Sequence, residues 1–455
     1  MTHRLTLAAA LGTLLLTPLA ATAQQDYVVT AERWGAAQTA AVEAAGGTVV
    51  FGHDNAGVAV VRSQAGDFAA RLAASEVVSS VTADMMVQWQ RPSAAEQQIE
   101  ADFTNPLNND RFFNTVQWAP QAIDAPAAWA LGCTGAGVRV AVLDGGLFNG
   151  HPDLAPNVDV GASRSFVPGQ PFNADTGTFW HGTHVAGIIA AIDHDPAVDV
   201  NSGVIGIAPK ATLVGVKVLH GGSGSFAWVI EGILYAATPQ AQGGAGADII
   251  NMSLGALFSR SDAGAGELVA AMNKAVNFAN RYGVLVVSAA GNNGLNLDHA
   301  GDLYVAPAES GSGIAVSSTG PMGFALGATD FERPASYSNY GTSVVHVAAP
   351  GGDFELPGND LCTLPTTNGA PVIVPCWAFD MVLSTTRTGW GWAAGTSMAA
   401  PAASAVAAMI KQQNPGISLG RLKTALANSA VDHGKEGRDP FYGRGWVNAL
   451  RACQY

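Results

Sequence analysis

Val138-Arg139-Val140-Ala141-Val142-Leu143-Asp144-Gly145-Gly146 is an apolar run that ends in a carboxylate and two glycines. A strand with one solvated face alternates apolar and polar residues. This run barely alternates, so it reads as a strand covered on both faces. Comparable runs follow at Leu213–Leu219, Asp248–Leu254, Val284–Ala290, Ile314–Ser318 and Val344–Ala349. Helical patterns fall between and after them, at His181–Ile192, Ser225–Ala237, Gly266–Tyr282 and Ser397–Lys411. Buried strands separated by helices predict an α/β fold: a mostly parallel sheet between two helical layers. Functional groups in such sheets gather outside the carboxyl ends of the strands, and Asp144 stands at one of those ends.

Ser397 lies in Gly395-Thr396-Ser397-Met398-Ala399-Ala400-Pro401, at the predicted start of a helix. A hydroxyl there feels the positive end of the macrodipole, among backbone N–H groups that lack helical partners. Such donors suit a negative charge that appears only during reaction. Pro401 reads as a first-turn proline, where its missing N–H does little harm. Taken alone, Ser397 is an ordinary capping serine. His181 opens His181-Gly182-Thr183-His184-Val185-Ala186-Gly187, whose small residues let a helix approach the sheet closely. His184 reads as structural, because no acidic third ligand completes a zinc helix signature. Asn292, in Ala289-Ala290-Gly291-Asn292-Asn293-Gly294, is either a turn former or an amide donor to a developing oxyanion. Taken jointly, Asp144, His181 and Ser397 supply an orienter, a base and a nucleophile.

These stretches, with His151-Pro152-Asp153-Leu154, resemble the subtilisin-like serine peptidases (subtilases) over roughly Gln117 to Cys453. The chain departs from the family at Gly145, where Thr or Ser is usual. The resemblance implies that Ser397 attacks a peptide carbonyl and that His181 takes its proton and later protonates the leaving amine. It implies that Asp144 holds the imidazole, and that Asn292 and the Ser397 N–H bind the oxyanion. Ser223-Gly224-Ser225-Phe226 and Ser253-Leu254-Gly255 resemble the two segments that sandwich substrate as added strands. Phe226, Val229 and Leu254 would then line a distal apolar subsite, with Ala289, Ala290 and Gly291 on one wall of the primary pocket. Read as residues alone, Phe226, Val229 and Leu254 are equally ordinary core. No charge in these segments marks a trypsin-like preference. The implied function is a secreted endopeptidase acting on proteins or peptides through an acyl-enzyme, with no cofactor required for the chemistry. An acid-acting relative with a Ser-Glu-Asp triad would carry Glu where His181 stands. A silent scaffold would have lost one of Asp144, His181 or Ser397.

The N-terminal part reads differently. Arg4, an apolar run to Ala20 and Ala21-Thr22-Ala23 form a signal peptide over residues 1–23, which predicts an extracellular or periplasmic product. No later run is long and apolar enough to span a bilayer. Residues 24–90 read as β-α-β-β-α-β, the ferredoxin-like α+β order, with a last strand at Val77–Val87. They resemble the family's propeptide, a foldase and intramolecular inhibitor. Residues 91–115 read as an exposed linker holding a processing site, and residues 116–455 as the peptidase domain.

The net charge of −13 argues against nucleic acid, which needs basic patches. The four cysteines suit an oxidising compartment, and the expected pairs are Cys362–Cys376 and Cys133–Cys453. Asp153, Asp193, Asp195 and Asp199 invite a structural calcium, since hard cations take oxygen ligands; Asp153 matches a calcium-ligating position in many relatives. The segment Gly351–Ala393 is longer than in compact members and either shapes the cleft or covers the sheet. His220, His299, His346 and His433 read as structural.

Overall fold

The computed structural model describes residues 24–89, 97–100 (backbone course only), 112–113, 115–193, 203–366 and 370–455. The signal peptide, most of the 91–115 linker, Asp195 and Asp199 lie outside the described residues.

The first unit contains β1 (Gln25–Thr30), α1 (Ala36–Ala44), β2 (Gly47–Gly52), β3 (Val58–Ser63), α2 (Phe68–Ala73) and β4 (Ser80–Ala83). Its four strands are ordered β2-β3-β1-β4 and pair antiparallel. Val29, Ala59 and Val61 face Trp34, Val42, Phe68 and Leu72 in a small core of its own. The opposite face carries Val28, Val58 and Val60, which join the core of the larger unit.

That larger unit carries two short helices, α3 (Ala119–Ala122) and α4 (Ala125–Ala130), and is organised by a seven-stranded sheet. After β5 (Met86–Gln88) and β6 (Gln97–Glu100), its strands are β7 (Arg139–Asp144), β8 (Arg164–Ser165), β9 (Thr212–Lys217), β11 (Ile249–Met252), β13 (Leu285–Ala289), β15 (Ile314–Thr319) and β16 (Val345–Pro350). Three short strands, β10 (Ser223–Ser225), which pairs with β5, and β12 (Ala256–Ser259) and β14 (Leu303–Ala306), which pair with each other, lie beside it. The order is β16-β15-β13-β11-β7-β9-β8, parallel throughout.

Every strand but the short edge strand β8 buries both faces, which is why their sequences do not alternate. Val140 and Val142 pack with α5 (His181–Ala190) and α8 (Thr396–Gln413). Ala141 and Leu143 pack with α6 (Phe226–Ala237) and α7 (Ala265–Arg281). The three-layer α/β reading therefore stands, with helix and strand limits within a few residues of expectation. Both expected disulfides, Cys133–Cys453 and Cys362–Cys376, are formed.

Three expectations are corrected. The strand Val77–Val87 is two strands in different sheets: β4 closes the first unit, whereas β5 pairs antiparallel with β10 of the large unit. Asp84 makes the break, its Oδ1 accepting the N–H of Met85 at 2.9 Å and of Ala227, at the start of α6, at 3.0 Å. The segment 91–115 is not wholly an exposed linker. Gln97–Glu100 pairs with the strand Gly389–Ala393, and Phe112 is fully buried with its ring 5.2 Å from that of Trp390. Pro401 is the sixth residue of α8, not a first-turn residue. Its missing N–H would have bonded the Ser397 carbonyl, which instead accepts from the Ser253 hydroxyl at 2.7 Å.

The seam between the units is partly charged. Arg62 Nε donates to Asp26 at 2.6 Å, while Lys274 Nζ reaches the carbonyl of Ala31 at 3.1 Å. Glu231 of α6 is buried at this seam, and burial, with Asp26 and Asp84 nearby, pushes its carboxyl up to about 8 against the opposing pull of Arg62 and Arg164.

Candidate active site

The strand exits β7, β11 and β13 and the N-termini of α5 and α8 meet at one edge of the sheet. Asp144 ends β7 with a buried carboxylate. Its Oδ1 accepts the N–H of Gly145 at 2.6 Å, and Nδ1 of His181 lies 2.9 Å from Oδ2 and 3.2 Å from Oδ1. The helix that carries His181 is preceded by Trp180 in the left-handed region, φ 50°, a costly conformation for a bulky residue. His184 faces away from this site: burial pulls its imidazole down to about 3, and its Nε2 bonds the carbonyl of Gly391 at 2.9 Å.

Ser397 stands in the first turn of α8 and lines, with His181 and Asn292, a cleft of about 880 Å³. Its Oγ donates to the Ser253 carbonyl at 3.3 Å. Asn292 is fixed from behind, its Oδ1 accepting from the N–H of Thr396 at 2.9 Å and the Thr396 hydroxyl at 2.7 Å. The donor end of the amide is thereby left for the cleft, close to the N-terminus of α8. Gly291, φ 100°, admits the Asn339 amide, because a Cβ there would lie 2.4 Å from Asn339 Nδ2. Asn339 in turn donates to the Ala290 carbonyl at 2.9 Å and accepts from the N–H groups of Asn293 and Leu295 at 3.0 Å.

The residues expected along the substrate path separate into two groups. Ser223 and Gly224 form β10, and Gly255 faces it across a groove already filled by the chain's own residues 86–89. Gln88 pairs with Ser223, Val87 with Gly224, and Trp89 bridges the two walls, donating to the Gly222 carbonyl and accepting from the Gly255 N–H, each at 3.0 Å. The buried indole donates to the Gly224 carbonyl at 3.0 Å and packs edge-on against Phe226, 4.9 Å away, and Phe258. Burying a side chain of this size is worth roughly 3 kcal/mol. Val229 and Leu254 belong to the same apolar cluster. The second group sits behind the cleft: the Ser253 hydroxyl is buried between Asn251 and the Ser397 carbonyl, and Ala290 is buried while Ala289 and Gly291 face the cleft.

Trp89, Phe258 and Asn339 are absent from the sequence reading, and Thr396 enters it only as the neighbour of Ser397, with no role of its own. The first three are brought in by the fold from outside the recognisable motifs, and none of the four carries a chemical signature of its own.

For calcium, the chemistry at Asp153 Oδ2 does not fit a cation. That oxygen accepts three N–H groups, from Trp390 Nε1 at 2.8 Å, Val204 at 3.1 Å and Gly203 at 3.2 Å. Among the described residues, no group of three or more His, Cys, Asp or Glu is arranged to hold a metal ion. No described helix is long and apolar enough to cross a membrane.

The profile of the subtilase family matches residues 135–445. Subtilisin Savinase of Lederbergia lenta is 37% identical over 344 residues, which cover 75% of this chain and 99% of that protein. Thermitase of Thermoactinomyces vulgaris is 33% identical over 348 residues, covering 76% and 99%. In fold, the chain resembles the epidermin leader peptide processing serine protease of Staphylococcus aureus, with a TM-score of 0.69 at 21% identity over 95% of this chain and 98% of that one.

Proposed function

The chain belongs to the subtilase family and is a subtilisin-like serine endopeptidase; on that premise we propose that Asp144, His181 and Ser397 are its catalytic triad and residues 24–89 its own inhibitor. The observation that carries the triad is the bond from His181 Nδ1 to the buried carboxylate of Asp144, in the cleft that Ser397 lines. With Nδ1 so engaged, Nε2 is the nitrogen that takes the Ser397 proton as Oγ attacks a peptide carbonyl. The oxyanion is received by the Ser397 N–H and Asn292 Nδ2, and the imidazolium returns its proton to the leaving amine. Every acid, base and donor in this sequence is a protein group, so the chemistry needs no cofactor.

Residues 86–89 support the inhibitor reading, since they occupy the groove as an added strand in the place a substrate would take. The processing site falls within 91–115, and domain limits of 24–90 and 116–455 follow. The signal-type run at 1–23 and the two disulfides support export. The test is fluorophosphonate labelling of the secreted protein with mapping of the modified residue and of the mature N-terminus. Label on Ser397 and an N-terminus after Gln90 are expected; label elsewhere would refute the assignment.

The seam titrates in this reading. A glutamate in water ionises near 4.5, whereas buried Glu231 does so at about 8. The bound state therefore holds a proton that the released state loses, and the association weakens as pH rises between those values, levelling off above them. In a Ser397→Ala protein, hydrogen exchange of β1 and β3 should quicken, beyond the intrinsic rate, from about pH 5 to about pH 8. Glu231→Gln should flatten that trend; identical trends in both proteins would remove Glu231 from the account.

Structural calcium belongs, in the same reading, to the acidic loop 193–199 and not to Asp153 Oδ2. Chelation is expected to lower Tm while leaving the initial rate at room temperature unchanged. A Tm indifferent to chelator would take calcium out of the reading.

A further inference from the structure

We propose that the buried pair Lys217–Asp175 is a positioning device for Asp144 and sets the charge felt by His181. The inference rests on the triad reading above. Lys217 is 1% exposed and is the residue of β9 that pairs with Asp144 across the sheet. Its Nζ donates to the carbonyl of Gly145 and, at 2.7 Å, to that of Leu219. It thus ties together the two chain exits on either side of the Asp144 carboxylate. The backbone helps from the other direction, since the Asp144 carbonyl accepts from the N–H of Val218 at 2.9 Å.

Asp175 completes the arrangement. Its Oδ1 lies 4.0 Å from Lys217 Nζ and accepts the N–H groups of Thr176 and Gly221, each at 2.9 Å. A Cβ on residue 145 would lie 2.1 Å from Asp175 Oδ2. The departure of Gly145 from the family's Thr or Ser therefore has a physical reason: the absent side chain leaves the space that the Asp175 carboxylate occupies.

An unpaired buried ammonium is costly, so a purely structural position would favour an apolar residue of similar volume. Burial pulls the Lys217 ammonium down, while Asp175 and then Asp144 hold it charged. The titratable groups around it are Asp144 on β7, Asp175 and His220 on the flanking loops, and His181 of α5 through its bond to Asp144. His184, further along α5, is neutral. Lys217 therefore offsets two carboxylates, one of which, Asp144, holds the imidazole. Without it, the imidazolium is stabilised and His181 becomes a usable base only at higher pH.

The readout is the pH profile of kcat/KM of the mature enzyme on a soluble peptide. Lys217→Met is expected to move the midpoint of the acid limb up by about half a pH unit or more, and Asp175→Asn to move it down. Gly145→Ala, which keeps both charges but drives the carboxylate off the ammonium, should act in the direction of Asp175→Asn. If Lys217→Met does not fold, the other two variants carry the test. A fall in kcat/KM by one factor at every pH, with an unmoved midpoint, would mean that the pair is only structural and would overturn the proposal. Fluorophosphonate labelling of the unaltered enzyme separates the two readings: failure to label Ser397 would sink the triad, whereas labelling with immobile midpoints sinks only this inference.

Discussion

Ser397→Ala is expected to lower kcat on a protein substrate by about 10⁶, a figure that belongs to a relative in this family and not to this chain's geometry. The hydroxyl is the nucleophile of the proposed reaction: it carries the acyl group as an ester until water hydrolyses that ester and regenerates it. Asn292, the Ser397 N–H and the groove between Ser223 and Gly255 all survive the change. Residual activity should therefore stay roughly 10³–10⁴ above the uncatalysed rate in water. The side chain itself makes one hydrogen bond, to the Ser253 carbonyl at 3.3 Å, so the fold should persist with near-normal Tm. The same protein should accumulate as a full-length precursor, with residues 86–89 still paired to β10. Casein hydrolysis at the normal rate, still blocked by fluorophosphonate, would place the nucleophile elsewhere.

Asp144→Asn is expected to cost about 10⁴ in kcat while sparing the fold. The carboxylate now accepts from His181 Nδ1 at 2.9 Å and from the Gly145 N–H at 2.6 Å. With Oδ1 held by that backbone donor, an amide would turn its NH₂ toward Nδ1. The imidazole would then keep its proton on Nε2, the nitrogen that must accept the proton from Ser397. Slow fluorophosphonate labelling with unchanged Tm is the expected signature. A variant within tenfold of the parent would mean that Asp144 does not orient the base.

Much of this molecule was legible before any coordinates. The strands at Val138–Asp144 and Val284–Ala290 lack alternation because helices cover both of their faces, and that pattern alone points to a parallel sheet. The histidine and serine heptads carry their chemistry in contiguous residues. Both disulfide partners were also anticipated. Less was visible where one residue's meaning depends on a distant one. Asp84 looks like any residue of a long strand, yet it caps α6 and divides that strand in two. Pro401 reads as harmless until its missing bond is traced to the Ser397 carbonyl, which Ser253 takes up. Phe112, in a polar stretch, is buried against Trp390.

The amino-acid order by itself determined the sheet and its helical layers and singled out the Asp, His and Ser proposed as the triad, since hydrophobic periodicity and short motifs are local properties of a chain. Tertiary structure alone decided that Trp89 fills the groove, that Asn339 and Thr396 hold the Gly291–Asn292 turn, and that Lys217 and Asp175 lie under the Asp144 strand exit. Those contacts join residues tens to hundreds of positions apart. The free energy of a buried ion pair or a lodged indole depends on what surrounds it, and only the packed molecule supplies that surrounding.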